Sequence, residues 1–147
     1  MRKQLSGSDV KELLEKLPTQ LQTFTKKDKV EQFDNIYKLN EKPFLFEKDD
    51  KLIPLLKSIT NPESYPHAIV DMGAIRFVVG GADIMRPGIT QMSNFKKDDY
   101  VIIIDQTHKK PLAIGIALFD SDEMKNMKTG KVLKNIHFVG DDLWKIS

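Results

Sequence analysis

The chain contains no cysteine. Disulfides, thiolate zinc sites and cysteine nucleophiles are therefore excluded. It also lacks any apolar run near the ~20 residues needed to span a bilayer as a helix. Residues 1–9 show no apolar stretch of signal-peptide length, so a cytoplasmic location is expected. Charge of one sign is scarce: the net charge is +2 over 147 residues, and each half carries a surplus of one positive charge. A broad, nonspecific grip on nucleic acid starts from a strong basic excess, which is missing here. Gly-x-Ser-x-Gly, Gly-x-x-x-x-Gly-Lys and His-x-x-x-His are all absent, which removes the common signatures of acyl transfer, nucleotide binding and metalloproteolysis.

The material that is present suits a folded chain of one domain or two small ones. It is 40% hydrophobic and 30% charged, too apolar for a disordered chain. Val10, Leu13, Leu14 and Leu17 recur at helical spacing and predict a helix over 8–17. Ser8 or Asp9 can cap it, Glu12 sits in the capping-box position after Asp9, and Pro18 stops it. A short amphipathic turn burying Leu21 and Phe24 follows. The period then changes. Val30–Phe33, Asn35–Leu39 and Pro43–Glu47 read as strands, with Asn40-Glu41-Lys42 and Asp49-Asp50 as turns. Leu52–Thr60 is expected to be a helix with Pro54 in its first turn. The breakers Asn61-Pro62-Glu63 and Tyr65-Pro66 set an expected boundary between domains 1–65 and 66–147.

The second half is read as opening with a short helix, Asp71–Val79, capped by Asp71 and stopped by Gly80 and Gly81. Ala82–Ile89 is extended and tightly turned. Tyr100–Ile104 and Pro111–Phe119 are apolar strands, and Gly115 marks a bulge or a close backbone approach. A helix over Ser121–Met127 and strands over Val132–Val139 and Leu143–Ile146 complete it, with Trp144 expected in the core of the last strand. Short strands without long helical connections should pair mainly antiparallel, in a small closed or partly closed barrel.

No active site emerges. His67, His108 and His137 are scattered and read as surface or barrel-edge residues, so no metal site and no cofactor are expected. The pairs Asp49-Asp50, Asp98-Asp99 and Asp141-Asp142 read as turns, because adjacent side chains in extended backbone point to opposite faces. Asp120, Asp122 and Glu123 surround a helix start, where acids complement the dipole.

One segment is more specific than the rest. Asp71-x-Gly73-Ala74, then Gly81-Ala82 and Arg86-Pro87-Gly88, resembles the opening of a PUA domain. Asn135-Ile136-His137-Phe138-Val139-Gly140-Asp141-Asp142-Leu143-Trp144 is similar to that family's closing strands. Ala74-Ile75-Arg76-Phe77-Val78, Ile84-Met85-x-Pro87-Gly88 and, in the first half, Lys42-Pro43-Phe44-Leu45-Phe46 resemble the malignant T-cell amplified sequence proteins and their archaeal relatives. The resemblance implies an α+β protein: a small α/β N-terminal domain followed by a mainly β PUA pseudo-barrel. It implies RNA binding on Gly73, Ala74 and Phe77 of the helix and on Gly80, Gly81, Ala82, Asp83, Met85, Arg86, Pro87 and Gly88 of the loop, and Arg76 in the same segment joins them on the chemistry of its side chain.

Elementary chemistry accommodates that surface. Glycines let backbone N–H groups approach a phosphate or a base edge, although tight turns need the same residue. Arg76 and Arg86 are the two arginines of the second half, and a guanidinium matches phosphate bidentately. Phe77 and Met85 can serve as core or as a stacking platform for an exposed base. With no active site in view, the resemblance implies a noncatalytic protein that recognises the single-stranded 3′ end of tRNA or a similar structured RNA, in translation initiation or recycling. The small ribosomal subunit and a density-regulated-protein-like partner are what the resemblance implies as company. Two alternatives stand beside it: an adaptor docking a translation factor or the ribosome, and an accessory subunit of an RNA-modifying enzyme.

Overall fold

A computed structural model describes residues 2–147. The chain divides into two compact units, one running through Ser58 and including Ser147, the other Ile59–Ile146.

The first unit begins with an edge strand, β1 (Arg2–Gln4), which pairs antiparallel with β2 (Val30–Phe33). Three residues that are all exposed carry no apolar pattern, so this strand is invisible in the sequence. Helix α1 spans Gly7–Lys16. Its cap is Ser6, whose hydroxyl accepts from the Asp9 N–H at 3.2 Å, rather than Ser8 or Asp9. Asp9 falls instead in the first turn, where its charge complements the helix dipole. Strands β3 (Ile36–Leu39), β4 (Lys42–Lys48) and β5 (Lys51–Pro54) complete a five-stranded antiparallel meander in chain order. The expected helix over 52–60 is replaced by β5 and a single 3-10 turn, Leu56–Ser58. Asp49 and Asp50 have φ of 51° and 63°, so both centres of a two-residue turn are left-handed and the chain is sent straight back along β4. Pro54 is tolerated because β5 is an edge strand. Val10, Leu13, Leu17, Leu21 and Phe24 are buried with Leu45, Phe46, Ile53 and Leu55. Phe24 meets Phe44 edge-on at 5.3 Å.

The second unit is a curled six-stranded sheet carrying short helices, as the α+β pseudo-barrel reading requires. Its strands are β6 (His67–Val70), β7 (Ile84–Met85), β8 (Ile89–Met92), β9 (Tyr100–Asp105), β10 (Pro111–Ala117) and β11 (Lys131–Phe138). Their order is β7-β11-β10-β9-β6-β8. All pairings are antiparallel except β6 with β9. Strand β6 was not expected: Ala68, Ile69 and Val70 are all buried, so it lacks the alternation that betrays a half-buried strand. Between β6 and β7 lie a 3-10 turn, Met72–Ala74, and helix α2 (Ile75–Val78). A 3-10 turn, Arg86–Gly88, joins β7 to β8, and helix α3 (Ser121–Lys125) lies between β10 and β11. Gly115 satisfies both expectations held for it. The register shifts beside it, and a Cβ there would lie 3.2 Å from Leu133 Cβ and from the Lys134 carbonyl.

The C-terminus corrects three expectations. Asp142–Ile146 is a helix, α4, not a strand. Asp141 starts it: its carboxylate accepts from the main-chain N–H of Phe138 at 2.9 Å and of Trp144 at 2.8 Å. Trp144 is therefore a half-buried helical residue rather than the core of a closing strand. His137 is not a surface residue; it is fully buried, with Nδ1 donating to the Asp141 carboxylate at 2.9 Å. Burial pushes its pKa below the ordinary value, and the Asp141 carboxylate opposes that only in part. Among the described residues, no helix is long and apolar enough to cross a membrane.

Candidate functional site

Asp71 fixes one end of the site. Its carboxylate accepts from the Ala74 N–H at 3.0 Å, starting the 3-10 turn, and its own N–H donates to the Gly88 carbonyl at 2.9 Å. The helical segment 72–78 is thereby laid alongside the loop 82–88. Between them is a cavity of about 570 Å³, lined by Asp71, Gly73, Ala74, Phe77, Val78, Ala82, Asp83, Ile84, Met85, Pro87 and Gly88. Of the residues named from sequence, it gathers Gly73, Ala74, Phe77, Ala82, Asp83, Met85, Pro87 and Gly88. Arg76, Gly80, Gly81 and Arg86 do not line it.

The walls are apolar and open to solvent. Phe77 is 55% exposed and Met85 50%, although large apolar side chains ordinarily withdraw from water. The Arg76 guanidinium lies over the Phe77 ring at 4.8 Å, close enough for a cation–π contact. It is exposed and makes no ion pair among the described residues.

Arg86 is placed differently. Its Nε donates to the Met124 carbonyl at 2.6 Å and its Nη1 to the Ile89 carbonyl at 3.1 Å. Its planar fork ties α3 to the start of β8. The glycines also divide. Gly81 has φ of +94°, and a Cβ there would lie 3.0 Å from the Phe138 ring. At Gly80 a Cβ would crowd the Arg76 carbonyl at 3.2 Å. Gly73 and Gly88 sit within 3-10 turns, where a Cβ would meet neighbours only at ordinary contact, 3.5 Å. The left-handed backbone favours glycine at Gly81, a Cβ at Gly80 would be tight against the main chain, and the second pair accepts a methyl at ordinary contact.

The only charged residues lining the cavity among the described residues are Asp71 and Asp83. Asp83 Oδ1 accepts from the Asn135 main-chain N–H at 2.9 Å, and Oδ2 faces Lys131 Nζ at 3.0 Å. Burial acts to raise the Asp83 carboxyl. The Asn135 N–H, Lys131 and, at longer range, Lys134 outweigh it and hold the group below the ordinary carboxylate range. The Asn135 side chain donates to the carbonyls of Val78 at 2.9 Å and Ala82 at 3.0 Å, anchoring the loop from below. Asn135, Lys131 and Lys134 were not anticipated as site residues. Their place depends on β11 pairing with β7, with Lys131 opposite Met85, and no local pattern announces a pairing between strands more than forty residues apart. Among the described residues, no group of three or more His, Asp or Glu is placed to hold a metal ion.

Comparison with known proteins supplies the wider setting. The PUA domain profile matches residues 66–139. An uncharacterized protein of Methanocaldococcus jannaschii is 46% identical over 110 residues, covering 72% of this chain and 67% of its own. Translation machinery-associated protein 20 of Saccharomyces cerevisiae is 34% identical over 137 residues, covering 88% and 74%. Malignant T-cell-amplified sequence 1 of Danio rerio is 30% identical over 106 residues, covering 69% and 59%. Among solved structures, a hypothetical protein of Pyrococcus horikoshii superimposes with a TM-score of 0.86 at 32% identity, covering 99% of both chains. A chain of an H/ACA ribonucleoprotein bound to a substrate RNA matches with a TM-score of 0.52 at 25% identity, covering 65% of this chain and 29% of that one.

Proposed function

The chain belongs to the PUA-domain family, alongside translation machinery-associated protein 20 and malignant T-cell-amplified sequence 1, and we propose on that footing that it is a noncatalytic RNA-binding protein of translation. Its ligand in this reading is the single-stranded 3′ end of tRNA or a similar structured RNA. The observation that carries the reading is the open apolar groove with Gly73 and Gly88 in its wall, two positions where the fold itself tolerates a Cβ. A groove of this kind suits unstacked bases, which present apolar faces and can pack on Phe77 and Met85. Paired RNA offers no such surface to a narrow cleft. The RNA-bound ribonucleoprotein among the structural relatives supports the same ligand class. The translation-named relatives support the cellular setting, with the cytoplasm as its compartment. The small ribosomal subunit and a density-regulated-protein-like partner would be the company such a protein keeps.

Filter binding with tRNA, with and without its terminal CCA, tests this. The expected result is salt-sensitive binding that weakens at least ~10-fold, equivalent to ~1.4 kcal/mol, when the CCA is removed. Equal affinity for the two RNAs would remove the 3′-end reading. No binding to either would remove the RNA reading altogether.

A further inference from the structure

The groove is badly suited to the part of RNA that carries charge. Its only lining charges among the described residues are two carboxylates, Asp71 and Asp83, and phosphate is repelled by both. If bases enter the groove, the backbone must run along a flank that carries cations. Arg86 is committed to the carbonyls of Met124 and Ile89 and cannot supply one without giving up those bonds.

The β7–β11 flank carries two lysines. In a regular strand, residues three apart face opposite sides. The register of β11 against β7 shifts between Lys131 and Leu133, however, and the alternation breaks there. Val132 and Leu133 are both buried, whereas Lys131 and Lys134 are both exposed. Both lysines act on the Asp83 carboxylate, Lys131 by direct contact and Lys134 at longer range. The spacing along the strand is ~10 Å. Lys134 makes no ion pair among the described residues. The Lys131–Asp83 pair is half exposed on the lysine side, at 54%, and water screens such pairs enough to make them easily exchanged.

We propose that Lys131 and Lys134 form the phosphate-binding rim of the groove, with Asp83 holding Lys131 in place until an RNA phosphate takes it over. This rests on the RNA-binding reading above. It assigns the backbone to β11 and the bases to the groove, and it makes Asp83 a competitor of the ligand rather than a contact. Asn at position 83 would still accept from the Asn135 N–H, so the loop keeps its anchor while Lys131 is released.

The test uses the full chain, a labelled single-stranded RNA ending in CCA, and a salt titration. Lys131→Gln with Lys134→Gln is expected to weaken binding at least ~10-fold at low salt. It should also flatten the slope of log K against log salt by ~1.4, on the basis of ~0.7 per phosphate contact with single strands. Lys96→Gln with Lys97→Gln removes the same charge from two exposed lysines that do not line the groove, and should leave the slope within ~0.3 of wild type. Asp83→Asn should tighten binding several-fold, and most of that gain should vanish when Lys131→Gln is added. A merely structural ion pair would give loss of melting temperature without tightening. An unchanged slope in the Lys131/Lys134 variant, or equal flattening in the Lys96/Lys97 variant, overturns the rim. Absence of salt-sensitive binding by the wild type overturns the RNA reading itself, a distinct result.

Discussion

The turn at Gly80–Gly81 and the groove wall at Gly73 and Gly88 are built from the same residue within one short motif, yet they answer to different demands. At the turn, Gly81 has a left-handed backbone with the Phe138 ring 3.0 Å from where a Cβ would stand, and a Cβ at Gly80 would press on the Arg76 carbonyl at 3.2 Å. At the wall, the backbone is helical and the space is ordinary. The two arginines divide the same way. Arg86 holds main-chain carbonyls, whereas Arg76 lies exposed over Phe77. The motif is thus two things at once, a clasp that closes the unit and an opening that faces outward. A substitution read only as "in the motif" confounds them, and the way to separate them is to measure stability and affinity on the same variants.

Arg86→Met should have the largest effect on stability. It removes donors from the Met124 and Ile89 carbonyls, and hydrogen bonds from a charged group contribute ~1.5–3 kcal/mol each in protected settings. We expect a loss of ~3 kcal/mol, or a fall of ~6–12 °C in melting temperature for a chain of this size. Calorimetry measures it. RNA affinity, extrapolated to the folded fraction, should change little. A large affinity loss with intact stability would move Arg86 to the open side of the division.

Gly81→Ala comes next. A non-glycine residue in the left-handed region costs ~1–2 kcal/mol, and the added methyl presses on Phe138. The total expected is ~2 kcal/mol of destabilisation. Gly88→Ala is the sharper comparison because its sign is opposite. A glycine in a conformation that alanine accepts costs extra chain entropy on folding, so the replacement should stabilise by ~0.4–1 kcal/mol. The same methyl projects at the groove wall and should weaken RNA binding several-fold. If Gly88→Ala binds as wild type, the tolerance for a Cβ at the wall extends to the ligand, and the groove is not the binding surface.

Much of this division cannot be read in sequence, and the reasons are physical. Glycine at a left-handed turn and glycine at a ligand wall look identical until φ and neighbours are known, so all four were grouped together. Phe77 and Met85 are residue types that usually belong to a core, and only their exposure shows them to be surface. Lys131 enters the site through strand pairing, which is long-range. What was legible was local: the Asp71 cap, the α1 stripe ended by Pro18, the β9 and β10 runs and the Gly115 bulge. The helix expected at 52–60 failed because one left-handed turn at Asp49-Asp50 outweighs the helical spacing after it. The strand expected at 143–146 failed because Asp141 caps the segment as a helix.

The smallest effect tests whether the clasp extends to the C-terminal corner. His137 is buried and neutral, donating Nδ1–H to Asp141, whose carboxylate also holds the N–H groups of Phe138 and Trp144. Burial lowers the His137 pKa in the folded chain below the ordinary 6.5, against the partial opposition of Asp141. The unfolded chain therefore takes up this proton at higher pH than the folded one does. The resulting stability is complete above about pH 6.5 and is lost as pH falls from there through the folded value. Asp141 stays ionised across that interval, because His137 and the two N–H groups outweigh burial and hold its carboxyl below 3.8. Urea unfolding should show a lower midpoint at pH 5.5 than at pH 7.5, and His137→Gln should flatten that difference while lowering the midpoint at both. RNA affinity should not follow His137, since no histidine lines the groove among the described residues. A binding curve that shifts with the His137 titration would join the corner to the groove and break the division between clasp and opening.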